Sequence, residues 1–155
     1  MATKLDRMDK QIVDLLTQDG RMSSKEIARL IEGATERMVR YRMKRLIEDN
    51  VITISAKVNP LKVGFPVIAD VFIEAEPSRV MALAHALAEY ENITYVGCST
   101  GDRDISVQIV ARDNRELYDF VTQEIGQLAG VRRTSTSIVP LIIKDDHHWS
   151  IPESV

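Results

Sequence analysis

Apolar residues change their spacing once along this chain, near Pro66, and that change limits the available folds more than any other feature. Before Pro66 they recur every three or four positions, the period of a helix with one buried face. After it, stretches of strict alternation, the period of a half-buried strand, are interleaved with helical stripes. The implied arrangement is a helical domain followed by an α+β domain. At 155 residues the chain has room for two small domains of roughly 50 and 90 residues, each marginal alone and each favoured by oligomerisation.

The N-terminal third reads as three helices. Asp6, with Asp9 three residues later, opens a pattern of Met8, Ile12, Leu15 and Leu16 that closes before Asp19-Gly20. In Ser23-Ser24-Lys25-Glu26 a hydroxyl and a carboxylate can satisfy each other's unpaired backbone N–H groups, so a second, short helix starts there. It carries Ile27, Leu30 and Ile31 inward and stops at Glu32-Gly33. Thr35 then caps a third helix that runs to about Asn50, with Val39, Met43, Leu46 and Ile47 as its buried stripe. Its other face shows Glu36, Arg37, Arg40, Tyr41, Lys44 and Glu48, with Arg42 and Arg45 at the flanks. Residues 51–58, rich in β-branched side chains and bounded by Asn59-Pro60, read as an extended wing or hinge strand.

A short helix, a tight turn at Gly33 and a longer basic helix entered through a cap describe a winged helix-turn-helix. Such a helix can enter the major groove of duplex DNA with its first turns reaching base edges, while nearby cations and hydroxyls hold phosphates. The expected DNA-binding set is Thr35, Arg37, Met38, Arg40, Tyr41, Arg42, Lys44 and Arg45. Within it Arg37, Met38, Arg40, Tyr41 and Lys44 face the groove, and Arg42 and Arg45 hold either phosphates or the domain's own acidic groups. The plainer alternative is a three-helix bundle whose basic face is merely solvated. Charge distribution points weakly to a polyanion partner: residues 1–55 hold 11 Lys and Arg against 9 Asp and Glu, although the whole chain carries −3.

From Pro66 onward the order is βαββαβ. A strand over residues 67–75 is followed by a helix through Val80, Leu83, Ala84, Leu87 and Tyr90. A strand over residues 93–99, the turn Thr100-Gly101-Asp102-Arg103 and a strand over residues 104–111 form a hairpin. The stripe Leu117, Phe120, Val121, Ile125 and Leu128 makes a second helix, and residues 131–144 a last long strand. This is the ferredoxin-like order, with both helices on one face of an antiparallel sheet. An apolar open face would need a second copy to cover it, so a dimer is expected. Pro140, which lacks an N–H, should mark where the last strand leaves the ladder. The expected division is residues 1–53 for the winged helix-turn-helix, 54–65 for the hinge, 66–144 for the βαββαβ domain and 145–155 for a tail.

Several function classes find no residues to support them. No apolar run is long enough to span a bilayer and the N-terminus lacks a leader's apolar core, so a cytoplasmic protein is expected. The lone Cys98 cannot form an intramolecular disulfide. No nucleophile–base pair, phosphate-cradling Gly loop or metal-ligand cluster stands out, so neither an enzyme nor a cofactor is expected. His85 reads as a solvated or interface residue. Asp145-Asp146-His147-His148 reads as a polar tail, with Trp149 and Ile151 packing it onto a neighbouring surface.

Certain segments, taken in order, resemble the Lrp/AsnC family of amino-acid-responsive transcription regulators. They are Leu5-Asp6-Arg7-Met8-Asp9 with Ile12 and Leu15, Asp19-Gly20-Arg21-Met22-Ser23, Val39 with Arg42-Met43-Lys44-Arg45-Leu46, Thr100-Gly101-Asp102-Arg103-Asp104, and Gly130-Val131. The resemblance implies a DNA-binding homodimer that assembles further into tetramers, octamers or open arrays. It also implies an amino acid or related metabolite bound between dimers. Carried onto this chain, the implied effector residues are Cys98, Ser99, Thr100, Gly101, Asp102 and Asp104, with Ser137, Ile138 and Val139. An Asp can receive a ligand ammonium and a Gly lets a backbone amide approach a carboxylate; equally, Gly101-Asp102 is ordinary turn chemistry and Asp104 can simply cap the hairpin. Two positions depart from the family pattern: Arg103 stands where an aromatic residue is common, and Ser137 where a larger side chain is. Alternatives are a DNA-organising or assembly protein without effector, and a tetrapyrrole decarboxylase of similar architecture, for which the clustered basic and histidine side chains are lacking.

Overall fold

The computed structural model describes residues 3–144 and Ile151. They form two compact units, one holding the residues up to Lys57 together with Ile151, the other Val58–Lys144.

In the first unit α1 spans Arg7–Gln18, α2 Ser24–Leu30 and α3 Glu36–Glu48. Each begins where a side chain satisfies the free N–H groups of its first turn. Asp6 and Asp9 form a reciprocal capping box on α1, Ser23 and Glu26 form one on α2, and Thr35 Oγ1 accepts from Met38 N at 3.3 Å on α3. Gly33, with φ of 75°, supplies the left-handed residue of the tight turn between α2 and α3. Ile12, Val13, Leu16, Ile27, Ile31, Val39 and Leu46 make the core, and Ile151 packs against it. Trp149, expected to pack beside Ile151, lies outside the described residues.

Two expected core residues are exposed instead: Leu30 at 62 % and Ile47 at 43 %. Successive helical residues point about 100° apart, and three short helices enclose only a narrow core. Ile31 and Leu46 fill it, which turns their neighbours outward. The expected wing or hinge strand also differs, because residues 52–59 form neither helix nor strand. A strand needs a ladder partner, and the described residues offer that segment none.

In the second unit β1 is Val67–Ala75, α4 Val80–Ala88, β2 Ile93–Cys98, β3 Ile105–Ala111, α5 Asn114–Asp119 and β4 Val131–Ile138. The sheet order is β2-β3-β1-β4 with every pairing antiparallel, which realises the ferredoxin-like order read from the sequence. Alternate residues Ala69, Val71, Ile73 and Ala75 of β1 and Ile105, Val107, Ile109 and Ala111 of β3 are buried. They lie under Leu83, Ala84, Leu87, Leu117, Val121 and Ile125 from the helical layer.

The second helix of this unit is less regular than its apolar stripe suggests. After α5 the chain widens into a π turn over Phe120–Glu124 and tightens into a 3-10 turn over Ile125–Gln127. Thr122 Oγ1 donates to the carbonyl oxygens of Tyr118 and Asp119, competing with the backbone for the acceptors of a regular helix. The last strand stops at Ile138 rather than continuing to Lys144. Val139 N donates to Ile68 O at 2.8 Å, and Pro140 has no N–H with which to continue the ladder.

The open sheet face is more polar than expected. Asp70 lies opposite Gln108 and Ser137, Phe72 opposite Ser106 and Ser135, and Glu74 opposite Arg133. Gln108 Nε2 donates to Asp70 Oδ1 at 3.1 Å. Exposed apolar side chains on the strands include Tyr95 of β2 and Ile138 of β4, and others flank the sheet, with Leu61 and Val63 before β1 and Leu141, Ile142 and Ile143 after β4.

Candidate nucleic-acid interface

α3 owes its orientation to what it buries. Val39 and Leu46 are fully inside, which leaves Glu36, Arg37, Met38, Arg40, Tyr41, Lys44 and Glu48 exposed, with Tyr41 at 69 %. The expected groove-facing residues therefore share one solvent-facing side of a single helix. Thr35 is at its N-terminus, where the free N–H groups and the helix dipole favour an anion.

The five cations fall into three groups. Arg37 has no ion-pair partner among the described residues. Arg40 pairs with Glu36, and Lys44 Nζ lies 3.6 Å from Glu48 Oε1; both are exposed pairs four residues apart. Such pairs contribute about 0–1 kcal/mol and exchange readily for another anion. Arg42 and Arg45 differ. Arg42 Nη1 donates to Asp6 Oδ2 at 2.6 Å and to Asp9 Oδ1 at 2.8 Å, while Arg45 Nη2 donates to Asp9 Oδ2 at 2.5 Å. Asp9 is 1 % exposed, Arg42 21 % and Arg45 36 %. Of the two roles open to Arg42 and Arg45 in the sequence, the geometry pairs them with the domain's own acids. The Arg42 guanidinium, together with the Asp9 N–H, holds the Asp6 carboxyl below its ordinary range, and the two aspartates hold Arg42 above its own.

Sequence reasoning allowed the domain's own acids as partners of Arg42 and Arg45 but did not name Asp6 and Asp9. A signal was present: two acids three residues apart open α1, and two arginines three residues apart lie on α3, so each pair occupies one helix face.

The expected effector residues fall into two groups. Around the hairpin turn, Ser99 Oγ donates to Arg103 O at 2.7 Å, Ser99 N donates to Asp104 O, and Asp104 Oδ2 accepts from Ala75 N at 2.8 Å. One carboxylate oxygen of Asp104 thus fastens the hairpin to β1. Gly101 has φ of 137°, a conformation other residues rarely adopt. Cys98, Thr100 and Asp102 are exposed. The Arg103 guanidinium lies 4.1 Å above the Phe72 ring, a cation–π contact. Ser137 and Ile138 lie on β4, at the opposite sheet edge from Cys98 on β2, and Val139 follows them. Cys98 shares a row with Ile105, Ile73 and Thr134, whereas Ser137 shares one with Asp70. Strand spacing and rise place the two groups roughly 15–20 Å apart within one chain. The fold does not bring them together.

Comparison with known proteins accords with both units. The family model for the AsnC-type helix-turn-helix domain matches residues 5–47, and that for the Lrp/AsnC ligand binding domain matches residues 68–148. An uncharacterized HTH-type transcriptional regulator of Pyrococcus furiosus is 36 % identical over 141 residues, covering 90 % of this chain and 95 % of its own. The HTH-type transcriptional regulator LrpA of Pyrococcus abyssi is 32 % identical over 136 residues, covering 87 % and 96 %. A transcriptional regulator of Neisseria meningitidis, solved in complex with L-Met, has the same fold at 20 % identity, with a TM-score of 0.86 over 96 % of this chain and 97 % of that one. These relatives are regulators, not enzymes. The basic α3, the βαββαβ unit and the two matched domain models, which together span most of the sequence, make this chain a DNA-binding transcription regulator of the Lrp/AsnC family.

Proposed function

We propose that α3 lies in the major groove with Arg37, Met38 and Tyr41 toward base edges and Arg40 and Lys44 toward phosphates. The observation that carries this is the division of α3 itself: one side is buried in the helical core, and the other exposes Arg37, Arg40, Tyr41 and Lys44 beside the N-terminus that Thr35 caps. Arg and Lys recognise guanine O6 and N7, and an apolar or aromatic group suits the thymine methyl. A homodimer presents two such helices, so the operator is a rough palindrome with half-sites one helical turn, or a multiple of it, apart. Tetramers or octamers would extend the same contacts along DNA.

An amino acid or similar small metabolite modulates this binding. Its site combines the hairpin turn of one copy with Ser137, Ile138 and Val139 of another, since the two groups are too far apart in one chain to touch one small ligand. The methionine bound in the Neisseria meningitidis protein supports this ligand class.

The test is binding of the full chain to duplex DNA from its own promoter region, titrated with salt and repeated with each amino acid. Arg40→Ala with Lys44→Ala weakens binding and flattens the slope of log affinity against log salt by about 0.9 for each phosphate no longer neutralised. An unchanged slope and affinity overturns the groove assignment. An affinity that shifts with one amino acid and not with the others supports the effector reading, and indifference to all of them overturns it for that class.

A further inference from the structure

We infer that Asp6, Asp9, Arg42 and Arg45 are positioning residues for DNA reading: they fix the rotation of α3 about its axis, and the two arginines are withheld from DNA phosphates. The inference concerns only the family's established DNA binding and does not depend on an effector.

The network joins two helices far apart in sequence, across 33 to 36 residues. Its acids are already occupied in organising α1. Asp6 Oδ1 accepts from Asp9 N at 2.9 Å, and Asp9 Oδ2 accepts from Asp6 N at 3.1 Å. The remaining capacity of those carboxylates is filled by guanidinium groups from α3. The capping box therefore serves as the receptor for the recognition helix, and its position is fixed because the start of α1 is fixed.

Apolar contacts alone would hold α3 loosely in rotation. Val39 and Leu46 are its only fully buried side chains, and both are aliphatic, so they resist withdrawal from the core more than they resist a roll of the helix. Charged hydrogen bonds are directional, and a planar guanidinium meeting carboxylate oxygens resists such a roll. A roll of a few tens of degrees would carry Arg37 and Tyr41 away from the base edges they address. Direct readout depends on bond geometry at each base pair, whereas attraction to phosphates depends mainly on net charge. The network should accordingly control discrimination between sequences more than overall attraction to DNA.

The alternative role makes opposite predictions. If Arg42 and Arg45 contacted phosphates, removing Asp6 would free a cation and only strengthen binding. If they position α3, removing Asp6 lowers discrimination although it also removes a negative charge. Asp6→Asn suits this purpose because Asn caps a helix about as well as Asp, so α1 keeps its start.

The experiment uses the full chain and two duplexes of equal length, an operator selected from random sequences by the wild-type protein and a scrambled version. The variants are Asp6→Asn, Arg42→Gln and Arg45→Gln, with Arg37→Gln as the contact control, each first checked for wild-type circular dichroism. With Asp6→Asn, operator affinity falls on the order of tenfold, the scale of one base contact, while affinity for the scrambled duplex holds or rises. With Arg42→Gln or Arg45→Gln the ratio of operator to scrambled affinity falls, and the salt slope on the scrambled duplex stays at the wild-type value. Two outcomes overturn the inference. One is a slope reduced by about 0.9 in either arginine variant, the mark of an arginine that had been neutralising a phosphate. The other is an Asp6→Asn protein that binds both duplexes more tightly by the same factor.

Discussion

The two units are stabilised differently. The helical unit packs seven buried apolar side chains and adds a buried aspartate that receives two arginines from the far end of the domain. The sheet unit buries fourteen in its core, none of them polar, and its ion pairs lie on the surface, as with Arg112–Glu116 and Arg133–Glu74. Helices of this length touch along narrow stripes and can rotate in place, so a small helical domain needs directional contacts to fix one arrangement. A four-stranded sheet is already fixed by its ladder, and apolar burial can supply the rest. Specificity of structure comes from charge in one unit and from backbone hydrogen bonding in the other.

The sharpest way to break this contrast is to exchange the kinds of damage. Ile73→Ala removes a fully buried side chain from the central strand β1 and should cost about 2–5 kcal/mol, the range for such cavities. Segment-resolved hydrogen exchange on the full chain should show weakened protection in β1, β3 and β4 amides, with α1 to α3 close to wild type. Asp9→Ala should cost about 1–3 kcal/mol, because it removes the acceptor that Arg42 and Arg45 share and one half of the α1 capping box. Its exchange signature should appear in α1 and α3 and spare the sheet. If Asp9→Ala were silent and only apolar truncations loosened the helical unit, the charged network would be decorative and the contrast would fail.

How much of this was legible in the sequence follows the same division. Alternation along β3 put Ile105, Val107, Ile109 and Ala111 on one face, and that face is the buried one; in β1 it gave the period, though Ile68 of the other face is buried as well. Helix starts were legible too, since Ser23-x-x-Glu26 and Thr35 announce themselves through local chemistry. Leu30 and Ile47 were misplaced because a helical stripe tells which residues are adjacent, not how wide the core they meet is. Residues 51–58 were read as an extended wing or hinge strand because β-branched composition reports suitability for a ladder and not the presence of a partner. At the candidate interface the exposed residues of α3 were legible from periodicity. The pairing of Arg42 and Arg45 with Asp6 and Asp9 was not, because a contact across more than 30 residues depends on how two helices cross.

Acid sharpens the contrast with the smallest effect. The Asp6 carboxyl is held below its ordinary range by the Arg42 guanidinium and the Asp9 N–H, and the Arg42 bond ties the start of α1 to α3; the Glu26 carboxyl is depressed too, by Ser23, but within one exposed turn. For a group depressed in the folded state, the unfolded chain binds more protons at pH values between the two pKa values. Its stabilisation is therefore complete above the unfolded value, near 4, and is lost as pH falls through the folded one. Glu116 in the sheet unit is depressed as well, by Arg112, but that pair is local and on the surface, where solvent screens it. Lowering the pH below about 4 should thus raise hydrogen exchange in α1 and α3, after correction for intrinsic rates, before β1 and β3 respond. Asp6→Asn, which has no proton to take up at that position, should narrow the gap between the two units over the same range. If the sheet amides opened first, or both units opened together with and without Asp6, acid would be acting through net charge on the whole chain and not through the start of α1.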